Sequence, residues 1–330
     1  MTTIKEIAQR AGVGTTTVSR YLNQSPHISE QAKQKVEKAI NELDYVPSAS
    51  AKYLRKQETK QIGVVVSRIT NPYFSSLFNK IERILNQFGY EASIMQTYDN
   101  PIAERKIIDK LKNQTFDALL MASIEDKDYI KSVLQENGNK IVLVNETING
   151  CEKDSVSVDQ YTPVVSGLEY LNKNYGSEIV YITGSNFFEN KHGNQRNKAY
   201  REFLQKHQYE LNQNMIFSNA HNIADGKEIA QKLLVNSSLP NAIFTNSDEV
   251  AIGVIAELKS KGIQVPEEVA VMGFDDQPLA SYVQVPLTTI QQPINALANN
   301  ACRLLLNKLQ VSNSLTKENL QLSLIIRQSA

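Results

Sequence analysis

Ile4-Lys5-Glu6-Ile7-Ala8-Gln9-Arg10-Ala11-Gly12-Val13-Gly14-Thr15-Thr16-Thr17-Val18-Ser19-Arg20-Tyr21-Leu22-Asn23 is the stretch on which the reading of this chain turns. Ile4, Ile7, Ala8 and Ala11 return at helical spacing, Gly12 offers a residue that takes positive φ without penalty, and the apolar spacing resumes at Val13 and Val18. The run Thr15, Thr16, Thr17 leads into a second short helix that ends near Leu22. A third is expected from Ser29, a suitable N-cap, through Ala32, Val36, Ala39 and Ile40 to Leu43. Three short helices with a small-residue turn between the first two spell a helix-turn-helix unit.

That geometry carries chemistry. A second helix laid in the major groove offers its first residues, Thr15, Thr16 and Thr17, to base edges, and a threonine there makes a single hydrogen bond or touches a thymine methyl. Thr17 suits a backbone contact better. Thr3, Ser19 and Asn23 are natural phosphate partners, which position the protein without specifying sequence. Charge agrees locally: the first 60 residues carry ten Lys or Arg against six acids, whereas the whole chain balances at 35 against 35. A global basic excess is therefore absent, and the basic character is confined to the helical unit.

Beyond a polar join at Arg55 to Lys60 the pattern changes to short apolar runs alternating with amphipathic helices. Strands are expected at 62–67, 92–96, 118–122, 141–144, 156–158, 179–183, 242–245, 269–274 and 322–326. Such alternation implies parallel sheets with right-handed crossovers, and 270 residues of it suit two doubly wound lobes better than one open sheet. Between the two parts, Ser48 to Lys56 follows Pro47, and a helix of about nine residues is marginal in water by itself.

The opening stretch, together with Tyr45-Val46-Pro47, Ala49-Ser50-Ala51, Asn71-Pro72-Tyr73-Phe74, the run from Ser247 to Gly253 and Gly273-Phe274-Asp275-Asp276, resembles the lactose/galactose-repressor (LacI/GalR) family along the whole chain. The resemblance implies an α/β protein with a helix-turn-helix headpiece (1–47), a hinge helix and linker (48–60), and a two-lobe core of periplasmic-binding-protein type (61–330). Its first lobe is expected at about 61–160 plus 291–330, and its second at about 161–290. It places Thr15, Thr16 and Arg20 where members read sequence; Arg20 can grip guanine O6 and N7, or clamp a phosphate. It also makes 48–56 a hinge that orders on DNA, pairs with its twin through the small Ala49, Ser50 and Ala51, contacts DNA with Ser48 and Ala51, and inserts Leu54 into the minor groove; packing under the lobes is the alternative for Leu54.

Doubly wound lobes bind ligands at the carboxyl ends of their strands, and two facing lobes make a cleft there. Candidates just past strand ends include Tyr73, Phe74, Asn145, Asp159, Ser247 and Asp275. By the resemblance, Asp275 accepts hydrogen bonds from effector hydroxyls, and a carboxylate suits a vicinal diol. Arg196 matches a family arginine, although Ala199 stands where the family has glycine. Without tryptophan, stacking on a sugar falls to Tyr73, Phe74, Phe187 or Phe188. Arg68, Lys191 and His192 near the mouth would suit a sugar phosphate or form a solvated rim.

Cys151 and Cys302 form no framework, and the four histidines have no metal-ligand spacing; no metal and no cofactor is expected. Neither a nucleophile elbow nor a phosphate-binding loop occurs, so the chain does not read as an enzyme. No signal peptide opens it and no apolar run is long enough to span a membrane, which predicts a cytoplasmic protein without membrane attachment. These readings converge on a DNA-binding repressor of carbohydrate-utilisation genes, released from a palindromic operator by a sugar or sugar phosphate. A corepressed regulator (by a purine or a partner protein) and a stand-alone sugar-binding protein are the alternatives. Two half-sites require a homodimer, and the stop at Ala330 directly after the last strand predicts dimers rather than tetramers.

Overall fold

The fold is described from a computed structural model, which covers residues 2–22, 25–45, 58–189, 193–235 and 239–330. The chain divides into two compact units, Met1–Thr59 and Lys60–Ala330. Asn23, Ser48, Ala51, Leu54, Lys191 and His192 lie outside the described residues.

The first unit holds helices α1 (Ile4–Ala11), α2 (Thr15–Leu22) and α3 (Glu30–Glu42). Local chemistry sets their ends. Thr3 caps α1 by accepting from the Glu6 amide at 3.3 Å, while the Thr3 amide donates to Glu6 Oε2 at 2.7 Å, a reciprocal capping box. Gly12, at φ +63°, ends the helix in the left-handed region. Ser29 caps α3 through the Ala32 amide. Ile7, Ala8, Ala11, Val18, Val36 and Ala39 form the buried centre, and Arg10 reaches Glu42 at 2.6 Å to tie α1 to α3.

The second unit opens with a five-stranded parallel sheet in the order β2-β1-β3-β4-β5, from β1 (Gln61–Val66), β2 (Glu91–Gln96), β3 (Ala118–Met121), β4 (Ile141–Val144) and β5 (Ser155–Val156). Side chains alternate across it with period two. Ile62, Val64, Leu120 and Val142 join α4 (Pro72–Gln87), while Val65, Leu119, Met121 and Leu143 join α5 (Pro101–Lys112) and α6 (Lys127–Asn137).

The second lobe carries β6 (Ile179–Ile182), β7 (Ile216–Phe217), β8 (Ala242–Phe244), β9 (Ala270–Asp275), β10 (Thr288–Gln291) and β11 (Ser323–Ile325), ordered β11-β10-β9-β8-β6-β7. One face packs on α7 (Tyr161–Tyr175) and α8 (Asn194–Lys206), the other on α9 (Ile223–Leu234) and α10 (Asp248–Ser260). Helix α11 (Ile294–Lys308) returns to the first lobe and packs on α4. The chain thus crosses between lobes three times: before α7, between β10 and α11, and between α11 and β11.

Two differences from the expectation have physical causes. The resemblance puts the whole of 291–330 in the first lobe, but β11 pairs antiparallel with β10 in the second sheet (Thr289 with Ile325). There Ser329 accepts from the Thr288 amide at 2.9 Å and donates to Val271 O at 2.6 Å, fastening the chain end to that lobe. Strands β7 and β10 were not expected: β7 has two residues, and β10 opens on two threonines that read as polar. Both threonines are buried with their hydroxyls engaged, Thr288 on Ala330 O at 2.8 Å and Thr289 on Asp248 Oδ1 at 2.6 Å.

Helices α9 and α10 touch backbone to backbone through two glycines. A Cβ on Gly253 would collide with the Ile223 carbonyl, and one on Gly226 with the Val250 carbonyl. Gly253→Ala should therefore lower the stability of the core unit by about 1–3 kcal/mol or more, read as a drop of several degrees in its melting transition, because the obstructing atom is backbone that cannot rotate aside.

Candidate functional site

On the headpiece, Thr15, Thr16 and Arg20 are exposed on α2, while Val18 points into the core. Thr16 and Arg20 stand four residues apart and share a helical face. Thr17 and Ser19 are half-buried. Thr3, expected at a phosphate, has its oxygen occupied as the acceptor that caps α1, which leaves the hydroxyl proton for another partner.

The second unit contains a cleft of about 970 Å³ at the carboxyl ends of the strands of both sheets. Tyr73, Phe74, Asn145, Arg196, Ser247 and Asp275 line it. Asp159 does not: its carboxylate accepts from the Tyr161 and Thr162 amides at 2.9 and 3.2 Å and so starts α7. Phe187 is wholly buried in the core and Phe188 is exposed outside the cleft, which leaves Tyr73 and Phe74, edge to face at 5.2 Å, as its aromatic wall. Ser247 is on the lining, yet its oxygen also accepts from the Val250 amide to cap α10.

A chain of side-chain amides links the lobes through this cleft. Asn145 Nδ2 donates to the Tyr73 hydroxyl at 2.9 Å and to Gln292 Oε1 at 3.0 Å, and Gln292 Nε2 donates to Asp275 Oδ1 at 2.8 Å. The other Asp275 oxygen accepts from Gln277 Nε2 at 3.3 Å, and Gln160 Nε2 reaches Asn145 Oδ1 at 3.3 Å. Asn145 (φ +60°), Asp275 (φ +110°) and Asp276 (φ +54°) hold positive φ, strain that residues with Cβ atoms accept only where surrounding structure enforces it. Arg196 donates to Asn246 O at 3.0 Å and lies 4.6 Å over the Phe274 ring. Arg68, at the rim, is already ion-paired with Asp99.

Burial pushes the Asp275 carboxyl up to about 6, against the lowering influence of the Gln292 hydrogen bond and the Arg196 guanidinium. Glu249, on the lining beside it, is pushed up to about 6 by burial and by the Asp275 charge. Burial, followed by the Asp275 charge, raises the Tyr73 phenol as well. Behind the lining residues Glu125 and Asp126, the fully buried Glu104 accepts from their amides at 2.7 and 3.2 Å, and Glu125 accepts from Thr97 and Ser123 at 2.9 and 2.7 Å. Burial pushes Glu104 up to about 7.

Sequence reasoning missed Gln160, Gln292, Gln277 and Glu249. Gln292 follows the unexpected strand β10, so knowing that strand would have exposed it; Glu249 stood in plain view two residues after Ser247. No group of residues suited to hold a metal ion occurs among the described residues.

Comparison with known proteins meets this arrangement at both ends. Residues 3–48 match the bacterial regulatory proteins of the lacI family, and residues 168–330 match the periplasmic binding protein-like domain. The NTD biosynthesis operon regulator NtdR of Bacillus subtilis is 30% identical over 332 residues, covering 100% of each chain. This chain belongs to the LacI family. As a LacI-family protein it is a DNA-binding transcriptional regulator. A LacI-family regulator of Lactobacillus casei, solved with bound glucose, is 38% identical at a TM-score of 0.77 over 82% of this chain and 99% of that one. The same regulator was solved with sucrose and with Tris. The lac repressor dimer bound to operator shares the fold, at a TM-score of 0.81 over 99% of this chain and 98% of that chain with 22% identity.

The buried Asp275 charge has a measurable consequence. The folded protein holds this proton more tightly than the unfolded chain, so stability falls as pH rises from the ordinary value of 3.8 through about 6. Asp275→Asn removes that cost. Without effector, the variant should melt above the wild type at pH 7.5 by an amount worth on the order of 1–3 kcal/mol, and the gap should narrow at pH 5. A gap independent of pH would exclude the buried charge as its cause.

Proposed function

We propose that this regulator represses transcription from a palindromic operator and is released when a sugar occupies the cleft between its lobes. The amide chain from Tyr73 through Asn145 and Gln292 to Asp275 is the observation that carries the reading. It joins both lobes, and every member can exchange its partner for a ligand hydroxyl. A sugar that bonds Asp275 and Asn145 together would favour one lobe arrangement through its differential affinity, which is the sole way a ligand shifts such an equilibrium. The Lactobacillus casei relative, with glucose, sucrose or Tris bound, supports a polyhydroxyl effector. The hinge carrying Ser48, Ala51 and Leu54 would transmit the change to the headpiece, Leu54 as a minor-groove wedge. This role is one of binding rather than catalysis, and places the protein in the cytoplasm.

A homodimer fits two half-sites, and Leu279 and Tyr282, 60% and 85% exposed, offer apolar surface for it. Tyr282→Asp should convert a dimer into monomers in sedimentation at micromolar concentration.

Gel-shift titration against the promoter next to its own gene, with a panel of sugars, sugar phosphates and purines, tests the reading. Arg20→Ala should weaken operator binding about 10- to 100-fold, the worth of one bidentate base contact. Arg196→Ala should bind the operator within about threefold of wild type yet resist release, because charged hydrogen bonds of about 1.5–3 kcal/mol to the effector are lost in one state only. Wild-type affinity for Arg20→Ala, or loss of operator binding by a folded Arg196→Ala, would overturn these assignments.

A further inference from the structure

The cleft has a charge balance that a neutral sugar does not use. Among the described residues it is lined by eight carboxylates against three Lys or Arg side chains. His221 on the lining and Arg105, which pairs with Asp126 at 2.8 Å from outside it, bring the possible cations to five and still leave an acidic excess among the described residues. Arg68 is committed to Asp99, and Arg196 to the Asn246 carbonyl and the Phe274 ring.

The imbalance concentrates at Asp275 and Glu249. Asp275 is buried, and its hydrogen-bond donors, Gln277 and Gln292, are neutral amides that leave its charge in place. The carboxylate of Glu249, half-buried at the start of α10, makes no hydrogen bond or ion pair with any described residue. The Asp275 charge raises the cost of ionising Glu249, and Arg196 is the cation that offsets Asp275. Hydroxyl groups can bond these oxygens but cannot neutralise them. An ammonium group, with three donors, no acceptor and a positive charge, answers both needs.

We propose that the cleft selects an effector bearing a protonated amine beside its hydroxyls, an amino sugar or similar amino polyol, whose cation lies between Glu249 and Asp275, and that it rejects phosphorylated ligands. This rests on the reading of the cleft as an effector site. The acidic wall would also concentrate cationic ligands before they dock.

Matched pairs differing in charge test it by calorimetry on the full chain in amine-free buffer: glucosamine with glucose, Tris with pentaerythritol, and glucose 6-phosphate as the anion. At pH 7.0 the amine of at least one pair should bind tenfold or more tighter than its neutral twin, and glucose 6-phosphate weaker than glucose. Glu249→Gln should cut the preference below threefold and, because it removes a carboxyl raised by burial and by the Asp275 charge, should not lower the melting temperature at pH 7.0. Lowering the pH to 5.5 keeps the ligand amine protonated but titrates Asp275 and Glu249, so the preference should shrink. The charged and titratable groups coupled to Asp275 are Arg196, Asp248, Glu249 and Tyr73, and of these Arg196 alone is a cation. Equal or tighter binding of both neutral twins, tightest binding of glucose 6-phosphate, or an undiminished preference in Glu249→Gln overturns the proposal. If glucose releases operator without any amine preference, the charge assignment fails and the sugar reading stands; if no polyol of any charge binds, both fail.

Discussion

Asp248 holds the working end of the second lobe together. Its buried carboxylate accepts from the Thr289 hydroxyl at 2.6 Å and the Gln277 amide at 2.5 Å, joining the beginning of β10, the loop after β9 and the start of α10 at one point. Gly273 makes the approach possible, since a Cβ there would strike Asp248 Oδ1. Burial and the nearby Asp275 charge raise its carboxyl well above the ordinary value, so the site accepts an electrostatic burden to gain this junction. With the loop so anchored, Asp275 and Asp276 can be kept at positive φ and Gln277 can be aimed back at Asp275. The orientation of the cleft's acidic wall therefore descends from a residue that is itself wholly buried.

The legible parts of the molecule were those whose causes are local. The headpiece helices follow from apolar spacing, and the cap on α3 from Ser29, because each is decided within one or two turns. Strand ends located Asn145, Ser247 and Asp275, and the resemblance located Arg196, all on the cleft lining. The same rule failed at Asp159, whose position at a strand end says nothing of which amides its carboxylate will find; they proved to be those of its own helix. Gln292 was hidden for a different reason. Thr288 and Thr289 look like a polar loop until Ala330 and Asp248, 42 and 41 residues away, are brought up to take their hydroxyl protons. The strand, and with it the glutamine that closes the amide chain, is a product of tertiary structure.

A wall built to bind is not a wall built for stability. Asp275 and Glu249 keep raised carboxyls in the cleft, and Asn145, Asp275 and Asp276 hold strained backbone. Glu104 takes a comparable burden behind Glu125 and Asp126, fully buried among backbone amides that it fixes rather than beside a cation. Such strain concentrates where a ligand can relieve it, which is also where ligand binding can be converted into a change of lobe arrangement.

The three chain crossings between the lobes bear on that conversion. A single connecting strand would let two bodies swing and twist about many axes, and each axis would absorb part of any free energy released in the cleft. Three connectors constrain one another: a rotation that relaxes one stretches another unless it runs about an axis passing near all three. What is left resembles a door on three hinges. Its motion has essentially one coordinate, so a contact made in the cleft and a displacement at the far ends of the lobes become two readings of the same angle.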